Sequence, residues 1–326
     1  MTTRPAEPDD LRRGTAFGFL AYGIWGTFPL YFHALKPAGS MEILAHRVVW
    51  SLALCAAILL LRRDLAWIKP TLRNRRLALG LAAAAVLIGV NWGVYILAVI
   101  TGRTYEAALG YFLNPIVTVA LGVLVLGEGL RRLQWAAVGV GALAGIYLTI
   151  GAGVIPWIPL SLAVSFGLYG LVKKKVGASL TSMQSLSAET VVLGPFAAAA
   201  LVVISLQGTS TFVGYGMGHT ALMILSGVVT AIPLLLFAAA TRRVPLVTIG
   251  LIQFITPVLQ LLVSVLVLGE HVSSALWVGF GIVWVALLLL SIDSVRAARR
   301  RRGTPRDPGS DDADGTDGFL EPTEPV

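Results

Sequence analysis

Hydrophobic residues fall in ten long runs along the chain, separated by short polar connections. The runs cover roughly residues 14–35, 43–61, 77–99, 104–126, 133–150, 154–172, 184–206, 219–240, 245–268 and 274–294. Each is close to the ~20 residues that an α-helix needs to cross the hydrocarbon core of a bilayer. None alternates as a barrel strand does, and a helix satisfies its own backbone hydrogen bonds in lipid. The pattern predicts an all-α membrane protein with ten transmembrane helices.

The hexamer VLVLGE occurs twice, at residues 123–128 and 265–270, which lie 142 positions apart. Pro115 and Pro257 precede the two copies by the same distance, and Trp135 and Trp277 follow them at equal spacing. This period is far longer than that of a solenoid repeat. The sequence predicts two five-helix repeats, at residues 14–150 and 151–294. The flanking tails are residues 1–13 and 295–326, and the composition of the second tail is typical of disorder.

Charge supports both the membrane class and the helix count. The chain is 56% hydrophobic and 13% charged, with a net charge of +8, whereas soluble domains carry about 25% charged residues. Alternate connections and the two tails hold 22 Lys and Arg residues, and the opposite connections hold only Lys36 and Arg103. The positive-inside rule then places both termini in the cytoplasm. These charges serve topology and lipid headgroups, so no nucleic-acid partner is expected.

An odd number of helices per repeat makes the second repeat run upside down relative to the first. Inverted repeats are a common construction of secondary transporters, whose substrate sites lie near the midplane between the repeats. Pro115 and Pro257 each remove a helical hydrogen bond, to the carbonyls of Tyr111 and Gln253. Such matched kinks indicate a binding site, or they only let helices pack.

Polar residues follow one face of each proline-containing helix at spacings of three and seven. Because lipid does not solvate polar groups, we expect the two stripes to face a shared cavity rather than lipid, with interhelical hydrogen bonding as the alternative. The stripes are Tyr111, Asn114 and Thr118 in the first repeat and Gln253, Thr256 and Gln260 in the second.

Arg47 and Glu189 occupy aligned positions, about one turn inside helices 2 and 7. Charged side chains at such depths usually face the interior of a helix bundle. Arg47 is a candidate to hold a substrate carboxylate or phosphate through paired hydrogen bonds, and Glu189 is a candidate proton-coupling acid. His46 is a second coupling candidate. Because the second repeat is inverted, Arg47 should lie toward the external side and Glu189 toward the cytoplasm, and we expect no direct ion pair. The alternative is that both snorkel to the interfaces.

Aromatic and amide side chains complete the candidate site. Asn91 lies deep in helix 3 and either lines a cavity or bridges helices. Tyr22 and Trp25 share a face of helix 1, as Phe166 and Tyr169 share a face of helix 6. Such aromatic walls fit a flat organic solute, although packing is the common role of aromatic residues at helical spacing.

The sequence indicates neither cofactor nor metal. The single cysteine, Cys55, lies in an apolar run, so no cysteine metal site or disulfide can form. No Walker motif is present, which argues against direct use of ATP. Glu128 and Glu270 each follow a glycine that can end a helix, and we expect them to shape helix ends rather than contact substrate.

Several segments resemble the EamA family of the drug/metabolite transporter superfamily, over residues 14–294. The repeated LGE, the matched prolines and the five-plus-five arrangement carry the family resemblance. YGIWG at 22–26, EILAHR at 42–47 and ALGYFLNP at 108–115 are similar to its RarD-type, chloramphenicol-sensitivity subgroup. The resemblance implies an inner-membrane permease that exports small metabolites or drugs.

Three classes of function compete for this chain. A secondary transporter of a small organic solute explains the inverted repeats and the matched polar stripes. An intramembrane enzyme acting on a lipid-linked substrate needs converging Asp, His or Ser groups, and a non-transporting scaffold explains hydrophobicity alone. We therefore predict a permease in the lipid bilayer with a small-molecule substrate and no catalytic residues. The sequence leaves substrate, direction, coupling ion and a homodimer open.

Overall fold

A computed structural model of the chain describes residues 8–126, 131–152, 155–176, 180–241, 243–244 and 252–302. Every regular element in these ranges is helical. The helices are α1 Pro8–Ala34, α2 Ser40–Leu61, α3 Ile68–Arg73, α4 Arg75–Ile100, α5 Thr104–Leu126, α6 Arg132–Ala152, α7 Trp157–Val176, α8 Ser182–Leu206, α9 Gly216–Thr241, α10 Ile255–Leu262 and α11 Ser274–Arg302. A π-helical turn, Val263–Val267, continues α10.

Five of these helices are apolar and long enough to cross a bilayer: Ser40–Leu61, Arg75–Ile100, Met183–Leu206, Gly216–Phe237 and Ser274–Asp293. Trp157–Lys173 and Ile255–Val267 are shorter apolar helices. Large apolar side chains such as Leu61, Leu79, Phe196 and Leu206 are mostly exposed on the outside of the bundle. An all-α protein that crosses the membrane several times accounts for that apolar exterior.

The helices overlap the predicted apolar runs, with informative differences at their ends. α5 begins and ends where the fourth run does, whereas α1 begins before the first run and α11 extends past the tenth. α3 occupies the connection between the second and third runs. The ninth run is described only from residue 252, and α10 begins at Ile255. The carbonyl of Gln253 accepts the backbone N–H of Thr256 at 3.3 Å. It is therefore not left free by Pro257, contrary to the sequence interpretation.

α2 and α8 pack side by side in opposite directions, as hydrogen bonds at both of their ends show. At the amino end of α2, the buried Glu42 carboxylate accepts the backbone N–H of Thr211 at 2.7 Å, just beyond the end of α8. The Oγ atoms of Ser210 and Thr211 donate to the same carboxylate at 3.0 Å. At the other end, Gln184 in the first turn of α8 donates to Asp64, just beyond α2, at 2.9 Å.

Packing between the two halves of the chain follows a paired pattern. The contact of α5 with α7 matches that of α10 with α1. The contact of α4 with α7 matches that of α9 with α1, and the contact of α2 with α9 matches that of α8 with α4. Three further contacts pair helices at equivalent places in the two halves: α2 with α8, α5 with α10, and α6 with α11. The core therefore lies largely between the halves rather than inside either of them.

The second copy of the repeated hexamer ends a helix and caps another. Gly269 has φ +65°, a left-handed conformation that glycine adopts without a steric penalty at the end of a helix. Glu270 then turns back, and its Oε2 accepts the Ser264 hydroxyl at 2.7 Å and the Tyr105 backbone N–H at 3.2 Å. The second bond satisfies a free donor in the first turn of α5. Glu128, its counterpart, lies outside the described residues.

Gly227 in α9 lies where the backbone of α2 approaches α9 closely. A Cβ at Gly227 would lie 2.5 Å from the carbonyl carbon and oxygen of Trp50 and 2.9 Å from the Ser51 nitrogen. A Cβ at Gly281 in α11 would meet nothing within 4 Å.

We expect Gly227→Ala to lower the stability of the purified protein in detergent by about 1–3 kcal/mol, because backbone atoms cannot move aside for an added methyl group. Gly281→Ala is the matched control, and it should be neutral or stabilising by ~0.5–1 kcal/mol, since alanine favours helix. Thermal unfolding of both variants checks this. An unchanged or raised melting temperature for Gly227→Ala contradicts the close approach of α2 and α9.

Candidate functional site

A cavity of about 430 Å³ lies between the two halves of the bundle. Eight of the described helices contribute to it, and most of the described lining is apolar or aromatic. Its described lining residues are Tyr22, Trp25, Phe28, Arg47, Ile88, Asn91, Trp92, Tyr95, Tyr111, Asn114, Pro115, Phe166, Tyr169, Gly170, Lys173, Ser185, Leu186, Glu189, Thr230, Leu234, Phe237, Gln253, Phe254, Thr256, Pro257 and Gln260.

Arg47 brings a cation into this cavity from the second turn of α2. Its side chain is only 4% exposed, its Nε donates to Thr230 Oγ1 at 2.9 Å, and its Cζ lies 4.0 Å from the ring centroid of Trp92. Phe28 and Phe32 flank the guanidinium at 5.7 Å. Within the described parts of the chain, no carboxylate lies at ion-pair distance from Arg47. A buried cation held only by a hydroxyl and aromatic faces retains a strong attraction for an anion.

A second charged group lines the cavity at the Glu189 end. The Glu189 carboxylate accepts from Lys173 Nζ at 2.8 Å, from Ser185 Oγ at 3.2 Å and from the Tyr169 hydroxyl at 3.3 Å. Lys173 also donates to Ser185. Because α2 and α8 are antiparallel, this group and Arg47 lie toward opposite ends of the helix pair. Arg47 and Glu189 therefore have separate partners.

Sequence reasoning missed Lys173, which belongs to a run of three lysines that we interpreted as a connecting loop. α7 extends to Val176, so Lys173 is still helical. It lies four residues after Tyr169 and therefore on the same helical face. That spacing was the available signal.

Asn91 both lines the cavity and bridges helices, so the two alternatives for this residue coexist. Its Nδ2 donates to the Leu162 carbonyl and to Ser165 Oγ, both at 3.0 Å, which ties α4 to α7. The Tyr111 hydroxyl lies 3.5 Å from Asn91 Oδ1. These bonds fix the amide in one orientation inside the cavity wall.

Every residue of the two polar stripes lines the cavity except Thr118. Thr256 Oγ1 donates to the Tyr22 carbonyl at 2.7 Å, and Gln260 Nε2 donates to the Trp25 carbonyl at 3.2 Å. Gln253 and Asn114 also line the cavity. Thr118 instead is exposed and does not belong to the described lining.

Three buried polar atoms of the lining have no hydrogen-bond partner among the described residues: Asn114 Oδ1, Gln260 Oε1 and the Tyr95 hydroxyl. Buried polar groups in native proteins are nearly always hydrogen-bonded. The Tyr95 and Gln260 side chains lie close to one another, and the Asn114 oxygen is free to accept a hydrogen bond from a bound solute.

Aromatic rings form one wall of the cavity. Tyr22 and Trp25 are 5.3 Å apart between ring centroids, and Phe237 lies 5.8 Å from Trp25 and 5.9 Å from Tyr22. The predicted aromatic residues of α1 and α7 line the cavity, together with Pro115 and Pro257.

His46 lies outside this group. Its ring stacks on Phe212 at 4.5 Å, Nδ1 accepts from Trp50 Nε1 at 3.2 Å, and the residue is not among the described lining residues. In the described part of the chain, no group of three or more His, Cys, Asp or Glu side chains is placed to hold a metal ion.

One family model and one solved structure match the chain. The EamA-like transporter family model matches the chain twice, at residues 12–151 and 154–292. One solved structure matches with a TM-score of 0.55 and 17% identity, over 86% of this chain and 98% of that one, which shows a shared fold.

Curated relatives match over nearly their full lengths. The protein RarD of Streptomyces exfoliatus is 50% identical, over 90% of this chain and 93% of the relative. An uncharacterized transporter of Bacillus subtilis is 40% identical, over 89% and 97%. The protein RarD of Escherichia coli is 38% identical over the same shares. The chain therefore belongs to the EamA-like transporter family, as a multi-pass membrane protein whose RarD relatives place it in the RarD-type subgroup.

Proposed function

We propose that this chain is a secondary permease of the cytoplasmic membrane that exports a small organic anion by alternating access. The observation that carries the proposal is the Arg47 guanidinium, which is buried in a cavity between the two halves and has no carboxylate partner in the described chain. The RarD resemblance supports export as the direction. The substrate anion completes the electrostatics of the site when it binds.

Two inverted repeats are the mechanical basis of this proposal. The family model matches each half separately, and the helix contacts between the halves occur in equivalent pairs. The antiparallel packing of α2 and α8 agrees with an inversion of the second half. Ten spans, five in each half, let one half rock against the other around a site that stays near the midplane.

Orientation follows from the distribution of Lys and Arg between the connections. With both termini in the cytoplasm, Glu42 and Arg47 lie toward the outside, and Glu189 and Lys173 toward the cytoplasm. In this orientation the Glu42 bonds to Ser210 and Thr211 tie the halves together at the outer end. The Gln184 bonds to Asp64 do the same at the inner end. Alternating access requires these two sets of bonds to break in turn.

Glu189 is our proposal for the proton-coupling group. It is the carboxylate among the described lining residues, and its partners Lys173, Tyr169 and Ser185 come from two helices of the second half. Protonation would weaken the ion pair with Lys173 and loosen the contact of α7 with α8. His46 lies outside the cavity, and we do not include it in this role.

The enzyme alternative has less support from the site. Asp293, the acid near the end of the last span, pairs with Arg131 at 2.5 Å and does not belong to the described lining. The cavity also brings no Ser–His pair together in the described chain. A scaffold function does not explain why the Arg47 guanidinium is buried without a carboxylate partner in the described chain.

We expect Arg47→Gln to reduce substrate release at least tenfold, because a charge-assisted hydrogen bond contributes ~1.5–3 kcal/mol and tenfold corresponds to ~1.4 kcal/mol. Proteoliposomes loaded with a bacterial metabolite extract are incubated with and without a pH gradient, and mass spectrometry identifies what leaves them. Arg47→Lys should be intermediate, because it retains the charge but not the planar fork.

Arg62→Gln is the matched control, since Arg62 is exposed just beyond the end of α2, and it should behave as the wild type. The transporter proposal is overturned if release equals that from loaded liposomes that lack the protein, with the protein in either orientation. Release that is unaffected by Arg47→Gln instead removes Arg47 from the site.

We expect Glu189→Gln to keep substrate exchange across the membrane while losing its stimulation by a pH gradient, because the amide cannot carry the coupled proton. Glu106→Gln is the control, because Glu106 pairs with Arg103 at 2.7 Å and is not part of the described lining. Both variants are compared in exchange and in gradient-driven flux. Gradient stimulation that survives in Glu189→Gln would show that another group couples transport.

A further inference from the structure

We infer that the substrate is a planar aromatic monoanion that carries a hydrogen-bond donor in addition to its carboxylate. The inference rests on the proposed transport function and specifies its substrate. Three independent properties of the cavity carry it: its net charge, its aromatic wall and its unpaired acceptors.

The charge of the cavity calls for a single negative charge. Its described ionisable residues, apart from tyrosines, are Arg47, Lys173 and Glu189. Lys173 and Glu189 neutralise one another at 2.8 Å, so one unit of positive charge remains at Arg47. A dianion would leave an uncompensated charge in a largely apolar space, and a neutral solute would leave the guanidinium without a counter-ion.

The free edge of Arg47 favours a carboxylate. Nε is occupied by Thr230, and one face of the guanidinium lies over Trp92. The two terminal nitrogens have no hydrogen-bond partner among the described residues, and they present parallel N–H donors. A carboxylate accepts such a pair in the bidentate geometry that arginine forms with planar anions.

The aromatic wall favours a flat ring attached to that carboxylate. Tyr22, Trp25 and Phe237 pack together with ring centroids 5.3–5.9 Å apart, and Tyr111 lies 5.5 Å from Tyr95. Aromatic pairs in stacked or edge-to-face arrangements gain ~0.5–1.5 kcal/mol beyond the burial of their area. A saturated ring of the same size is thicker and lacks this gain.

The unpaired acceptors favour a donor on the solute. Asn114 Oδ1 and Gln260 Oε1 are buried carbonyl oxygens without a partner in the described chain, and they lie on α5 and α10, one in each half. Each accepts an O–H or N–H but repels a second carboxylate. A solute with a hydroxyl or amino group satisfies at least one of them and so avoids the penalty of an unpaired buried acceptor.

Four matched probes separate these properties. Para-hydroxyphenylpropionate has the ring, the anion and the donor, and phenylpropionate lacks only the donor. Para-hydroxyphenylpropionamide lacks only the charge, and para-hydroxycyclohexylpropionate lacks only the aromatic ring. Isothermal titration calorimetry on the full-length protein in detergent measures the affinity of each probe. We expect para-hydroxyphenylpropionate to bind most tightly, the amide at least tenfold more weakly, and each of the other two at least threefold more weakly.

Two variants test which side chains cause the differences in affinity between the probes. Asn114→Leu should bring the affinity for para-hydroxyphenylpropionate down to that for phenylpropionate, with phenylpropionate little changed. Arg47→Lys should reduce the discrimination between acid and amide, because lysine retains the charge but binds through a single point. The melting temperature of each variant is measured alongside, and a variant that is not folded is replaced by Gln260→Leu for the donor step.

The inference is overturned if phenylpropionate, the amide or the saturated acid binds as tightly as para-hydroxyphenylpropionate, or if none of the four binds. In either case the wild type still releases some other solute from proteoliposomes when the proposed function is right. Absence of any protein-dependent release is the separate result that removes the proposed function itself.

Discussion

The rest of this structure depends on the placement of one guanidinium in a membrane-embedded bundle. A charged side chain inside a bilayer is costly unless it meets water, a counter-ion or another polar group. Arg47 is buried, bonded to Thr230 and packed against Trp92, yet its charge is not neutralised by any carboxylate in the described chain. We propose that the anionic substrate supplies the counter-charge that this residue lacks.

The two halves of the chain meet around that residue, and the core packs largely between the halves rather than inside either of them. Their paired helix contacts place the proline-containing helices α5 and α10 opposite one another at the cavity. Glu42 and Gln184, at aligned positions, bond to the opposite half at the two ends of the α2–α8 pair. Because the bonds at the two ends are separate, we propose that one end opens while the other stays closed.

Much of this architecture was predictable from the sequence, because a bilayer demands apolar runs of a fixed length and excludes polar stripes from lipid. The ends of α5 and the membrane class followed from those constraints, and they also predicted that Asn114 and Gln260 face a cavity. For Asn91 they left a cavity position and a bridge between helices open, and the transporter class came from the repeats and the family resemblance. Lys173 was missed because a basic run reads as a loop even where the helix continues. The partner of the Gln253 carbonyl and the position of His46 depend on tertiary packing, which periodicity does not report.

Accessibility of the cavity from both sides of the membrane tests the central claim most directly. Cys55 is the single cysteine and is buried, so Cys55→Ala provides a background for Asn114→Cys. A membrane-impermeant thiol reagent is applied to right-side-out and inside-out vesicles, and labelling is quantified by mass spectrometry. The account predicts labelling from either side, slowed in both cases by the transported anion. Labelling from one side only, under every condition, would contradict alternating access.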